Sequence, residues 1–165
     1  MREAALVAQR LAEVRESETV DLQECGLMDI PMAMFIFTKG VNVKEVNVSQ
    51  NQLKKLPLKL IKSFTTLTIL NCSNNKLKQL PNMEDCELKA LKAVNLSCNQ
   101  LSNVPIQLPL SLDLLDLSEN SISTLSDEEI SFMKVFPGKI ILTGNALDEK
   151  AISDLTKLSL DNVVL

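Results

Sequence analysis

Apolar positions along this chain recur in one pattern, L-x-x-L-x-L-x-x-N-x-L, and its asparagine serves as the ruler. Val43, Val46, Val48, Asn51 and Leu53 make one copy, closed by Leu56-Pro57. Leu67, Leu70, Cys72, Asn75 and Leu77 make the next, closed by Leu80-Pro81. Leu91, Val94, Leu96, Asn99 and Leu101 follow, then Val104-Pro105; Leu112, Leu115, Leu117, Asn120 and Ile122 follow again, then Leu125. Weaker copies flank these four. Val20, Leu22, Cys25 and Leu27 run into Ile30-Pro31 before them, and Ile140, Leu142, Asn145 and Leu147 come after. The key positions 25, 51, 75, 99, 120 and 145 therefore step by 26, 24, 24, 21 and 25 residues. A unit of this size cannot bury its own apolar face, so stability must come from stacking copies.

Within each copy the x-L-x triplet is read as a short strand, along which alternation sends the leucine position inward and its neighbours outward. Stacked copies then give a parallel sheet. After Ile30-Pro31 and Leu56-Pro57 the chain is expected to run in turns or short helix, with Leu60 and Phe64 pointing inward. The 21-residue copy must return through Pro105 and Pro109, which favours an extended path. Ser126-Asp-Glu-Glu129 reads as a capping box opening a helix to about Phe136. Residues 4–15 carry Ala4, Val7, Leu11 and Val14 at helical spacing, so residues 1–17 are assigned an N-terminal capping helix. Residues 18–147 hold about six copies, the two terminal ones degenerate. Residues 148–165 form a C-terminal cap, with Ile152, Leu155 and Leu158 inward, and a tail. The terminal Asn162-Val163-Val164-Leu165 could offer its carboxylate to a PDZ-type domain, but packing on the last copy is the preferred reading.

Over about residues 18–147 the pattern resembles the leucine-rich repeat family. The resemblance implies an α/β solenoid: a leucine-rich repeat horseshoe with a parallel concave sheet and short helical, 3-10 or extended convex segments. It also implies that each key asparagine lies inside and bonds backbone groups of neighbouring coils, and that Cys25 replaces it structurally. Partners of the family usually dock on the concave sheet, so the outward positions are the candidate binding surface. The first outward row holds Glu45, Ile69, Ala93 and Leu114, between Thr19 and Lys139. The second holds Asn47, Asn71, Asn95 and Asp116, between Asp21 and Ile141, and the third Ser49, Ser73, Ser97 and Ser118, between Gln23 and Thr143. This describes a polar Asn/Ser ladder, able to bond along the sheet, bordered by the apolar Ile69, Ala93 and Leu114.

Charge changes the picture at the edges. Residues 1–38 carry 3 basic and 7 acidic side chains, residues 39–92 carry 10 and 4, and residues 93–165 carry 4 and 10, so a positive centre lies between acidic ends. Glu18, Asp21 and Glu24 add negative charge at one end of the outward rows, and Asp113, Asp116 and Glu119 towards the other. Lys54, Lys55, Lys76 and Lys78 follow their strands and should gather as a basic rim, a solubilising face or a steering patch for an acidic partner or RNA. Nucleic acid is disfavoured, because the three arginines all precede residue 16 and no Tyr or Trp offers a stacking surface.

Composition removes most chemistry. The chain has no His, which excludes Ser-His-Asp and Cys-His catalysis and His-ligated metals. No paired acid and base, no Gly-rich phosphate loop and no metal-binding cluster is recognisable. Cys98, beside Ser97, is the only candidate nucleophile, and no base stands near it in sequence. The expected function is a non-catalytic protein-protein interaction module, with a lysine-rim RNA scaffold and then an enzyme as the alternatives. No cofactor is expected, the protein partner is unidentified, and the chain is expected to be a monomer. Three N-x-S triplets, at Asn47, Asn71 and Asn95, match the glycosylation acceptor pattern. The opening MREAALVAQRLAEVRESE lacks the roughly 7–15-residue apolar core of a signal peptide. No stretch reaches the roughly 18 apolar residues of a membrane span. The expected location is therefore cytoplasmic, with the nucleus possible, not secreted, and the triplets are read as one strand written three times.

Overall fold

The computed structural model describes residues 2–83, 86–158 and 160–165. Met1 of the N-terminal cap and Ser159 of the C-terminal cap lie outside the described residues. Seven parallel strands form one open sheet in the order β1 to β7, so every strand lies beside its neighbour in sequence. The strands are β1 (Thr19–Asp21), β2 (Glu45–Asn47), β3 (Ile69–Asn71), β4 (Ala93–Asn95), β5 (Leu114–Asp116), β6 (Lys139–Ile141) and β7 (Val163–Val164).

The first six strands occupy the triplets that the asparagine ruler marks, and they pair residue for residue. Val20 faces Val46, Val46 faces Leu70, Leu70 faces Val94, Val94 faces Leu115 and Leu115 faces Ile140. Each of these central residues is fully buried, whereas the residues flanking them are half-buried or exposed. A register slip of one residue would exchange the two sets, so the apolar pattern fixes the pairing. Behind the sheet, one continuous core joins these residues to Leu22, Val48, Leu96 and Leu117 and to inward residues of the connections.

The connections after β1 and β2 each carry one short helix. In α3 (Met32–Phe37) Met34 is buried, and in α4 (Leu58–Ser63) Leu60 and Ile61 are, with Phe64 just beyond the helix also buried. Pro31 and Pro57 precede these helices in extended conformation, where a missing N–H costs nothing. The segment through Pro105 and Pro109 contains turns and no helix. Helix α5 (Asp127–Val135) opens on the expected capping box: Glu129 N donates to Ser126 Oγ (3.2 Å) and Ser126 N to Glu129 Oε2 (2.7 Å). Immediately before β6, a Cβ added at Gly138 would stand 2.6 Å from the Asp113 carbonyl carbon, so only glycine allows this approach to the neighbouring copy.

The caps differ in detail from their prediction. The N-terminal helix is broken at Glu13 into α1 (Arg2–Ala12) and α2 (Val14–Ser17). Val7, Leu11 and Val14 are buried over the first copy, each contributing roughly 1.5–3 kcal/mol, but Ala4 is exposed. In α6 (Glu149–Leu158) the inward residues are Ala151 and Leu155, with Leu158 half-buried, and Ile152 is 44% exposed. The inward stripe is therefore Ala151, Leu155 and Leu158, at i, i+4 and i+7 spacing. The tail is more ordered than a packed end: Val163 and Val164 extend the sheet as β7, beside Ile140 and Ile141. Asn162 anchors it by donating to Phe136 O (2.9 Å) and Met133 O (3.2 Å), the open carbonyls at the end of α5.

One backbone feature recurs in every copy. Glu24, Gln50, Asn74, Cys98 and Glu119, each directly before the key position, adopt φ of 53–55°, and Gly144 takes the same place at 76°. This left-handed turn swings the chain off the strand. It costs a non-glycine residue roughly 1–2 kcal/mol, of which glycine's greater unfolded entropy returns roughly 0.5–1. Gln50 is exposed and keeps its backbone bond to Ser73 O (3.0 Å) whatever its side chain. Gln50→Gly is therefore expected to stabilise the protein by about 0.5–1 kcal/mol. A lowered urea midpoint would show that the turn is not strained.

Candidate functional site

The register stacks the outward residues into rows. Glu45, Ile69, Ala93 and Leu114 stand side by side, as do Asn47, Asn71, Asn95 and Asp116. In the first row Glu45 is exposed, Ile69 is 40% exposed, and Ala93 and Leu114 are half-buried. The apolar strip therefore exists on the open face, one side chain wide and three strands long.

The polar ladder is wired differently from expectation. Its bonds run within each strand. Ser49 N (3.1 Å) and Oγ (2.7 Å) both donate to Asn47 Oδ1, and Ser97 and Ser118 do the same to Asn95 and Asp116. Ser73 N donates to Asn71 Oδ1 (3.1 Å). These are Asx turns, in which the side chain mimics a backbone turn and ends the strand. Along the sheet only Asn47 Nδ2 reaches a side chain of another strand, Gln23 Oε1 (3.1 Å), among the described residues. Ser49 and Ser73, expected on the outward surface, are buried beneath the turn, so neither can offer its hydroxyl to a partner. What remains for recognition is the Nδ2 of Asn71 and of Asn95, which donate to nothing within the described residues.

Beneath this face lie the key asparagines. Asn75 Oδ1 accepts from Leu53 N (2.9 Å), while its Nδ2 donates to Val48 O (2.9 Å), Cys72 O (3.1 Å) and Ser73 O (3.2 Å). Asn51, Asn99, Asn120 and Asn145 repeat this bridge, each to the copy before it. Cys25 has no earlier copy to bridge; its Sγ approaches Gln23 O (3.5 Å) and its N donates to Asn51 Oδ1. Burial raises the thiol pKa of Cys25, an effect that Arg10 opposes, and burial alone pushes the Cys72 thiol far up. Cys98, by contrast, is exposed.

Charge near the face is largely paired. Glu18 meets Lys44, Asp21 lies 3.6 Å from Arg10, and Asp113 lies 3.8 Å from Lys92. The acidity expected at the two ends is thus partly cancelled, although exposed pairs contribute only about 0–1 kcal/mol each. The rim lysines border two depressions. Lys54, Lys55 and Lys76 share a depression with Met28, Asp29 and Gln52, whereas Lys78 borders a separate one with Glu128 and Glu129.

Sequence reasoning missed a second surface. Met28 (69% exposed), Met32 (63%) and Ile36 (72%) project from the first copy and α3. A signal existed: six uncharged residues in a row, MAMFIF, cannot all be inward on one short helix. Among the described residues no group of three or more His, Cys, Asp or Glu side chains could hold a metal ion. No helix among them is long and apolar enough to cross a membrane. The sequence matches no protein-family model and no curated protein.

Proposed function

We propose that this chain is a non-catalytic protein-interaction module, a leucine-rich repeat solenoid that binds a protein partner on the concave side of its sheet. It would serve as an adaptor or regulatory subunit, as a monomer, in the cytoplasm or nucleus. The observation that carries this reading is the strip Ile69–Ala93–Leu114, held in register on the open face beside the unpaired amides of Asn71 and Asn95. A core has no use for Ile69 at that position, and an apolar strip beside two fixed donors suits a partner loop offering apolar side chains and backbone carbonyls. The in-register sheet and the buried asparagine bridges support the solenoid reading. Four free thiols, two of them in the core, support a reducing compartment. The lack of Tyr and Trp, and the confinement of the three arginines to positions before residue 16, weigh against an RNA scaffold.

The test is the double variant Ile69→Glu/Leu114→Glu, compared with wild type by proximity labelling in the native cell and then by pull-down. Partner recovery is expected to fall by roughly ten-fold or more, as for loss of a central apolar contact. Unchanged recovery with a variant of normal urea midpoint would remove this face from consideration.

A further inference from the structure

We propose that a groove at the N-terminal end, together with the lysine depression beside it, docks a second partner element: an amphipathic helix with acidic residues at one end. This surface is separate from the sheet face and does not depend on the reading given to that face. The groove lies between α1 and residues 25–33. Its volume is about 410 Å3, and its walls include Val7, Ala8, Leu27, Met28, Pro31 and Ala33. That size falls within the roughly 300–1,000 Å3 of formed ligand pockets. Ala4 and Ala8, one turn apart on α1, are both exposed and present only methyl groups, so another helix can come close.

Met28 belongs to both depressions, which makes the apolar groove continuous with the basin holding Lys54, Lys55 and Lys76. Counted from the key residue, Met28 occupies the place that Lys54 and Lys78 fill in the next two copies and that Ser102, Ser123 and Asp148 fill later. It is the one apolar residue in that column, and it is 69% exposed. Among the described residues, Lys54, Lys55 and Lys76 enter no ion pair; Lys76 Nζ touches only Gln52 Oε1 (3.3 Å). The basin thus holds three unpaired cations against the single carboxylate of Asp29. The Glu3 carboxylate also borders the groove, beside Gly26.

The surface therefore joins an apolar groove to a basin of net positive charge. A helix laid along it satisfies both parts if its apolar stripe enters the groove and acidic residues at one of its ends reach the lysines. Two other occupants fit less well. A second copy across a two-fold axis could pair Glu3 of one with the lysines of the other, but it would face one recessed groove with another and leave the apolar cavity unfilled. An anionic membrane would meet the Glu3 and Asp29 carboxylates, and although Met28, Met32 and Ile36 are exposed enough to insert, the recessed groove would stay unfilled.

The experiment selects a display library of helical peptides on the full chain, then measures chosen peptides by fluorescence anisotropy. Enriched sequences are expected to share an apolar i, i+3/i+4, i+7 stripe and Glu or Asp at one end. Ala8→Arg and, separately, the triple variant Lys54→Glu/Lys55→Glu/Lys76→Glu should each weaken binding by roughly ten-fold or more, and added salt should weaken it too. The Ile69→Glu/Leu114→Glu variant should bind these peptides normally, which separates this surface from the sheet face. All the substituted residues at the groove and basin are exposed, so circular dichroism and urea midpoints should be unchanged. No enrichment, enrichment without acidic bias, or equal binding to the Ala8→Arg variant would overturn the proposal. So would sedimentation of the chain with phosphatidylserine vesicles that the triple lysine variant abolishes, since that outcome assigns the surface to lipid.

Discussion

Asn75→Ala is expected to cost roughly 3–5 kcal/mol of stability, because it removes four buried hydrogen bonds worth about 0.5–1.5 kcal/mol each. The substitution leaves the buried Leu53 N–H without an acceptor, whereas the carbonyls of Val48, Cys72 and Ser73 each lose one donor and keep another, from Asn51, Asn99 and Gln50. For a domain of this size the loss is a large part of a total of about 5–15 kcal/mol, and it corresponds to a fall in Tm of roughly 6–20 °C. Asn75→Cys should be nearly as damaging. Cysteine suffices at position 25 because no earlier copy presents groups there to be bridged, whereas position 75 must span from its own strand to Leu53 and Val48. Urea denaturation of the two variants checks this, and a loss below about 1 kcal/mol in the alanine variant would mean that water replaces the side chain.

Phe64→Ala should be of similar size for a different reason. Phe64 is 2% exposed, in the column that Thr38 fills in the previous copy and Leu88 in the next. Removing the ring from a tightly packed layer leaves a cavity, and such changes cost roughly 3–5 kcal/mol. Phe64→Leu should cost less than about 1.5 kcal/mol, since Leu88 shows that the same column accepts leucine. Equal losses in the two variants, measured by the same urea titration, would indicate that the ring's shape rather than its volume matters.

The spacing of one residue type made most of the sheet legible. Six strands fell on the marked triplets because each asparagine must bridge to the copy before it, and that leaves no freedom of register. Where no such bridge exists the ruler fails. β7 has no asparagine of its own kind and is set instead by Asn162 capping α5, a contact made across 26 and 29 residues that no local pattern announces. The outward rows were legible as rows, yet the burial of Ser49 and Ser73 was not. Alternation says which way a side chain leaves the strand; it does not say that an Asx turn will fold the chain back over it. The apolar surface around Met28 lay off the ruler altogether. Whether a residue in a connection faces inward depends on the path that connection takes, and Met28 and Lys54 share a position in the pattern with opposite chemistry.

The asparagine bridges all point one way. Through its side chain Asn51 reaches Leu22, Cys25 and Leu27 and Asn75 reaches Val48 and Leu53; Asn99, Asn120 and Asn145 continue in the same sense, and only the backbone N–H groups of Asn51 and Asn75 bond forward, to Asn74 O and Cys98 O. A chain leaving the ribosome amino end first therefore meets every partner of a given asparagine side chain before that side chain itself emerges. Each clasp can close as soon as its own residue is made, with nothing still to wait for downstream. Assembly can thus proceed as a ratchet during synthesis, with β7 as the last tooth.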